Sequence, residues 1–327
     1  MNNNKETTIS KTIRIVSEFV NDSIIKKTDI YSKKKDGYWD QFFVAVDTIE
    51  DTCAAIENFL KDSGGCFMKN PHLSTYGILQ ALVIQQDAVN FLKIALFGEN
   101  KKIIWHKLYP ELGNIRQLRN ETIGHPAKKE KKIGRSKYLN DEITYCTIDS
   151  SSLSQKGFDY MLWKHSKNEK KRIDFSNIIE IQNKNLNQEL EIILKELQKE
   201  ERQHKFKFKD EKLSNFLNHK SLYQINLIYG VNWNDHLAWP SFEHYLTQYK
   251  KIKDGLEKRY GKINTFFQIP GTELVIKKLD HIFSKIKTFK STGQFDKQEL
   301  EIYVDALDAS LKELRDHLLE IDNKFKF

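Results

Sequence analysis

The sequence predicts an all-α protein: an antiparallel helical bundle with one small β-hairpin insertion and additional C-terminal helices. Its 327 residues include only 14 Gly and 5 Pro, whereas a sheet-rich fold needs many such residues in the turns between short strands. Apolar residues recur three and four positions apart along most of the chain, which is the spacing of one helix face. A single short region is rich in β-branched and aromatic residues, and it predicts the hairpin.

Four helices are predicted in the N-terminal part of the chain. An amphipathic stretch covers residues 9–25, and a second periodic stretch covers residues 38–62, where it meets a Gly-Gly terminator. The third helix, residues 74–97, is apolar over most of its circumference, which predicts a central position in the bundle. The fourth begins near Pro110 and is expected to stop at Gly124-His125-Pro126, because the residue before a proline is pushed out of the helical conformation.

The hairpin is predicted at about residues 141–164, where residues 142–148 and 158–163 flank a Ser-rich turn. Helical periodicity returns over residues 178–197, and the charged run that follows, residues 199–212, indicates a linker or an exposed helix end. Four more helical stretches are predicted in the remainder, at about residues 211–230, 239–260, 270–290 and 296–322.

The composition predicts a soluble, cytoplasmic protein and disfavours several classes. The three cysteines, Cys53, Cys66 and Cys146, lack CxxC spacing, so we expect reduced thiols and neither a disulfide framework nor a zinc site. The N-terminus lacks the apolar core of a signal peptide, and polar residues interrupt the most apolar stretch, residues 78–97, so no membrane span is expected. Neither a P-loop nor a GxGxxG, GxSxG or HExxH motif is present, so no cofactor or metal is expected. The formal net charge of +8 is compatible with a polyanionic partner.

Chemistry-bearing residues concentrate at the end of the fourth helix, where Arg119 and Asn120 are followed by His125. A guanidinium offers a planar fork to phosphate oxygens, and an imidazole can exchange a proton near neutral pH, so the pair suits phosphodiester chemistry. On an ideal helix, Arg119 and His125 would lie about 120° out of phase. One copy of the motif therefore makes a poor site unless the helix breaks or two copies meet across a symmetry axis.

The order Arg119-Asn120-x-x-x-x-His125 resembles the Arg-polar-x(n)-His signature of HEPN domains (higher eukaryotes and prokaryotes nucleotide-binding). Many members of this family are metal-independent endoribonucleases in toxin–antitoxin, abortive-infection and CRISPR-linked defence systems. The polar residue is the favoured Asn, and the spacing lies within the family's range. The resemblance covers about residues 1–205, predicted as a HEPN-like bundle, while residues 206–327 are predicted as a C-terminal helical region that resembles no family we can name.

The resemblance implies a homodimer whose two motif helices face each other across a two-fold axis and share one composite cleft. His125 would act as general base or acid on the ribose 2′-OH or the leaving 5′-oxygen. Arg119 would hold the scissile phosphate and stabilise its extra charge, and Asn120 would orient His125 or contact the phosphate. The expected products are a 2′,3′-cyclic phosphate and a 5′-OH, formed from RNA without a metal. The resemblance thus implies a toxin or antiviral effector, with an antitoxin or defence-system protein as a further partner.

A basic loop follows the motif. It could line an RNA path or be only a solvated surface loop. Phosphate neutralisation along an RNA path would use its six cations. They are Lys128, Lys129, Lys131, Lys132, Arg135 and Lys137. Polar groups inside apolar helices need partners, so Asp51, Gln86 and Arg116 are candidates for supporting the motif from a second layer.

Three other interpretations stay open at this point. Arg119 could form a surface ion pair with Glu121 or Glu111 while His125 caps the helix. The fold could be a catalytically silent helical module that binds RNA or a partner protein. The C-terminal helices could serve as a regulatory or antitoxin-docking region.

Overall fold

The computed structural model describes most of the chain. The described residues are 8–23, 37–61, 65–124, 145–163, 168–217, 238–261, 271–292 and 296–326. They confirm the predicted fold class, because helices dominate and the strands form one small sheet. Contacts divide the chain into two compact units: residues 8–19 and 37–196 belong to the first, and residues 20–23 and 197–326 to the second.

Helices build most of the first unit. Their bounds are α1 Thr8–Asp22, α2 Tyr38–Lys61, α3 Cys66–Lys69, α4 Pro71–Phe97, α5 Trp105–Leu108 and α6 Pro110–Arg119. A π-helical turn, Asn120–Gly124, continues directly from α6. A long helix, α7 Phe175–Phe208, begins in this unit and ends in the second.

Helix α4 buries most of its circumference in the first unit, as its apolar character predicts, but one stripe of it stays exposed. Leu79, Leu82 and Leu92 on α4 are fully buried. Helices α2 and α4 run antiparallel. The rings of Phe59 and Phe67 lie 6.1 Å apart near the connection between the helices. Farther from the connection, Nε2 of Gln85 on α4 donates to Sγ of Cys53 on α2. Helix α6, which carries the motif, packs against α4.

The sheet has three antiparallel strands in the order β1 Tyr145–Ile148, β2 Gly157–Trp163 and β3 Glu169–Asp174. The β1–β2 pairing confirms the predicted hairpin. The third strand was missed because its sequence, Glu-Lys-Lys-Arg-Ile-Asp, is charged and lacks the usual strand residues. Its cations instead pair across the sheet with the carboxylate of Asp159, at 3.0 Å from both Lys170 and Arg172.

Helices α8 Ala238–Tyr260, α9 Thr272–Thr292 and α10 Lys297–Lys324 enclose the core of the second unit. Helix α7 continues to Phe208, so the charged run after residue 199 is mostly helix. Of the helix predicted at residues 211–230, the described part is a short 3-10 turn, Leu213–Leu217, and residues 218–230 lie outside the described residues.

A buried ion pair ties this 3-10 turn to the second unit's core. The guanidinium of Arg259, with a fully buried side chain, lies 2.9 Å from the carboxylate of Asp322. The same carboxylate accepts hydrogen bonds from the backbone N–H groups of Leu213 and Ser214, at 3.1 and 2.9 Å. The rings of Phe208 and Phe325 cover the guanidinium. One carboxylate thus pairs with a buried cation and caps the turn.

Candidate active site

The structure places two of the three predicted catalytic residues. Arg119 is the last residue of α6, and Asn120 is the first residue of the π-helical turn. The third, His125, lies outside the described residues, and so does the basic loop. The loop residues concerned are Lys128, Lys129, Lys131, Lys132, Arg135 and Lys137.

All three nitrogens of the Arg119 guanidinium make hydrogen bonds. Nε and Nη2 both donate to Oε1 of Gln80 on α4, at 2.8 and 2.7 Å, and Nη1 donates to Oδ1 of Asn120 at 2.8 Å. These contacts use three of the five N–H donors of the group, leaving one on each terminal nitrogen. Since Gln80 and Asn120 are neutral, they hold the guanidinium in place without cancelling its positive charge.

The same contacts orient Asn120. Its Oδ1 accepts from Arg119, which fixes the amide so that its Nδ2 group points away from the guanidinium and can donate. The side chain is exposed, while the backbone N–H is shared between the carbonyls of Arg116 and Gln117. Arg119 and Asn120 therefore present several N–H donors beside each other, an arrangement suited to an anion.

The π-helical turn changes the geometry expected after Arg119. The estimate of 120° between Arg119 and His125 assumed an ideal α-helix, but residues 120–124 follow the wider i→i+5 pattern. Thr122 adds a hydrogen bond from its hydroxyl to the Leu118 carbonyl, at 2.8 Å. The ideal-helix phase therefore does not apply to this segment, and π-turns of this kind are frequent at functional sites.

Arg116 lies one helical turn before Arg119 and also reaches α4. Its Nη1 lies 2.8 Å from the carboxylate of Asp87 and 3.5 Å from the Val83 carbonyl. Gln80 and Asp87 are seven residues apart, so they share one face of α4 and hold two arginines of α6. Arg119 does not form the surface ion pair with Glu121 or Glu111 that the sequence left open. Glu121 accepts a hydrogen bond from Gln117, and Glu111 accepts one from Asn185.

The other second-layer candidates lie elsewhere. Gln86 is fully buried, and its Nε2 donates to Oε1 of Gln182 at 2.8 Å and to the Leu112 carbonyl at 3.4 Å. Its partners are therefore core groups, and neither Arg116 nor Arg119 is among them. Asp51 lies on the exposed side of α2.

The sheet covers one side of α6, where a cleft of about 420 Å³ is bounded by α6, strands β2 and β3, and the start of α7. Burial and the negative charge of Glu121 raise the pKa of the Cys146 thiol to about 11. Burial, together with Glu121 and the Cys146 thiol, raises the pKa of Tyr160 to about 12. Both groups are therefore protonated at neutral pH, and Cys146 is not set up as a nucleophile.

A second cleft, of about 510 Å³, lies on the other side of α6 and was missed by the sequence reasoning. Arg116 and Asn120 line it together with Lys102 and His106, which precede the motif. The available signal was Gly113, a helix-weakening residue inside α6. A Cβ there would lie 2.9 Å from Cα of His106, so only glycine lets α5 approach α6 this closely.

No helix within the described ranges is both long and apolar enough to cross a membrane. In the same part of the chain, no group of three or more His, Cys, Asp or Glu residues is placed to hold a metal ion.

Comparisons with known proteins found no relationship. No protein-family model matches the chain, no curated protein matches it, and no solved structure matches it.

Proposed function

We propose that the protein is a metal-independent endoribonuclease of the HEPN type, acting as a toxin or antiviral effector. The observation that carries the proposal is the state of Arg119: two neutral amides hold its guanidinium, and one N–H on each terminal nitrogen remains for a phosphate. A residue that only stabilised the fold would gain more from a carboxylate partner, such as the one Arg116 has.

The chemistry proposed is attack of a ribose 2′-oxygen on the adjacent phosphorus. His125 takes the proton of the 2′-OH or gives one to the leaving 5′-oxygen. Arg119 binds the non-bridging oxygens, whose negative charge grows as the fifth bond to phosphorus forms. The Nδ2 group of Asn120 donates to the same phosphate. The 5′-oxygen leaves as a hydroxyl, and the 2′-oxygen remains bonded to phosphorus in a cyclic phosphate.

The exposed face of α4 supports the proposed homodimer. Four large apolar side chains on it are strongly exposed: Leu73 at 71%, Tyr76 at 43%, Ile84 at 37% and Phe91 at 49%. With Gln80 and Asp87, they follow the three- and four-residue spacing of one stripe along the helix, which we call the α4 stripe. A contact along the α4 stripe of two copies would bury this apolar surface and bring both Arg119 residues to the interface.

The test is RNA cleavage in excess EDTA by wild-type protein, Arg119→Ala and His125→Ala. Matched controls are Arg14→Ala on α1 and His281→Ala on α9, both exposed positions. Loss of cleavage by about a hundredfold or more in the two motif variants, with active controls, supports the mechanism. Motif variants that cut as fast as wild type, or cleavage stopped by EDTA, would overturn it.

The second candidate is a catalytically silent helical module that binds RNA or a partner protein. The same α4 stripe favours it, since a dimer face needs no chemistry. End-group analysis separates the candidates, because only the proposed nuclease yields cyclic phosphate ends.

A further inference from the structure

The cleft beside α5, which we call the α5–α6 cleft, has a mostly apolar lining that carries basic and amide side chains. Its charged or titratable lining residues are Lys102, His106 and Arg116, and Gln117 and Asn120 add amides. No carboxylate belongs to the described residues that line it. The cleft is therefore suited to an anion.

Two of these side chains are uncommitted. Lys102 and His106 are exposed, and within the described ranges neither side chain has an ion-pair or hydrogen-bond partner. Arg116 is partly neutralised by Asp87, so it contributes geometry more than net charge. Lys102 and His106 thus supply the donors that an incoming anion would meet first.

The position of the cleft relates it to the proposed catalytic residues. Gly113, Arg116 and Asn120 lie three and four residues apart, on one face of the helix, and His106 packs directly against Gly113. Seven residues at 1.5 Å each place His106 roughly 10 Å along the axis from Asn120. The cleft therefore extends away from the proposed catalytic residues, starting at Asn120, which lines the cleft and also belongs to the proposed site.

We propose that the α5–α6 cleft binds the RNA backbone on one side of the scissile phosphate, with Lys102 and His106 contacting a flanking phosphate. This inference rests on the proposed function and deepens it. Ile104, which is 44% exposed and lines the same cleft, offers an apolar contact for a ribose or base. A continuous chain of phosphates fits this arrangement, because Asn120 and His106 place hydrogen-bond donors at two separate points along one groove.

The test uses the full chain and a 5′-labelled 2′-O-methyl RNA, which lacks the attacking hydroxyl and cannot be cut by the proposed mechanism. Fluorescence anisotropy over a series of salt concentrations gives the affinity and its salt dependence. The variant is Lys102→Gln combined with His106→Gln. The matched control is Lys107→Gln combined with His281→Gln, exposed residues outside the cleft lining. Thermal unfolding verifies that both double variants fold as wild type does.

We expect the cleft variant to bind about tenfold more weakly, since a hydrogen bond to a charged group is lost. The negative slope of log association constant against log salt should become shallower by about 0.7 for each phosphate contact removed. The control should change neither the affinity nor the slope. Equal affinity and slope in the cleft variant, with wild type binding RNA, overturn the inference and leave the nuclease untouched. Cleavage that survives His125→Ala overturns the nuclease alone. Wild type that binds no RNA overturns both.

Discussion

Replacing Gln80 by Glu tests whether the charge of Arg119, held by a neutral partner, is what the site uses. A carboxylate at this position can accept the same two hydrogen bonds that Gln80 accepts from Nε and Nη2, at 2.8 and 2.7 Å. The guanidinium would stay where it is, but its positive charge would be paired. The variant therefore alters the electrostatics of the site and retains its geometry.

The size of the effect follows from the distances across the guanidinium. A phosphate bound at the opposite edge would lie about 8 Å from the new carboxylate. At an effective dielectric constant of about 20, their repulsion is roughly 2 kcal/mol, or about thirtyfold in rate. Gln80→Leu, which keeps the positive charge unpaired, should cost less, about fivefold, because no repulsion is added and Asn120 still holds the guanidinium.

The assay is single-turnover RNA cleavage in EDTA at two salt concentrations. Gln198→Glu on α7, an exposed position in the second unit, is the charge-matched control and should behave as wild type. Added salt should reduce the defect of Gln80→Glu, because ions screen the repulsion, and should leave that of Gln80→Leu unchanged. Full activity in Gln80→Glu would refute the reasoning, since pairing the charge of Arg119 would then have no consequence.

Three further predictions concern packing, burial and pH. Gly113→Ala should lower the free energy of unfolding by about 1 kcal/mol, because overpacking against His106 costs more than the gain in helix propensity. The control Asn114→Ala should not lower it. Urea unfolding measures both variants, and equal stabilities would contradict the close approach of α5 to α6. Arg259→Met should lose about 3–5 kcal/mol by leaving a buried carboxylate unpaired; an unchanged urea midpoint would contradict that burial. Alkylation of the Cys146 thiol should be slow at pH 8 and faster towards pH 11, because its pKa is raised and the thiolate is the reactive form. Glu121→Gln should shift this increase to lower pH, because it removes a nearby negative charge. A pH profile of alkylation, measured by mass spectrometry, that Glu121→Gln leaves unchanged would count against this.

The raised pKa of Cys146 also makes the stability of the folded state depend on pH. The folded-state pKa, about 11, lies above the ordinary thiol value of 9.0. Between these values the folded state retains a proton that the unfolded chain has lost. The contribution of this group to stability is therefore complete below about pH 9 and is lost as the pH rises through 11.

The fold class could be predicted from the sequence because helical periodicity is a local signal that survives in every long element. The extensive burial of α4 follows from its apolar circumference in the same way. The charged strand β3 could not be predicted, since its stability comes from pairing with Asp159 across the sheet, and that contact is not encoded locally. The charged run at residues 199–212 was left open as a linker or an exposed helix end, because such an end shows no apolar periodicity, and α7 continues through most of it.

The candidate site was predictable in part. Arg119 and Asn120 carry a recognisable pattern, and the structure joins them by a hydrogen bond. Their anchor, Gln80, lies 39 positions earlier and has no sequence signal beyond being polar on an apolar helix. Gln86 has the same signal but faces the core, where its Nε2 donates to Gln182. Polarity within a helix indicates that a partner exists, while the direction of the side chain decides which one.

The most direct test of the proposed endoribonuclease is the chemistry of the RNA ends that it leaves in excess EDTA. Attack by the 2′-oxygen predicts 5′-hydroxyl ends, which polynucleotide kinase labels without prior phosphatase treatment, and 2′,3′-cyclic phosphates on the upstream fragments. His125→Ala should leave the RNA intact. Products with 5′-phosphate ends, or RNA left whole by the wild-type protein, would contradict the proposal.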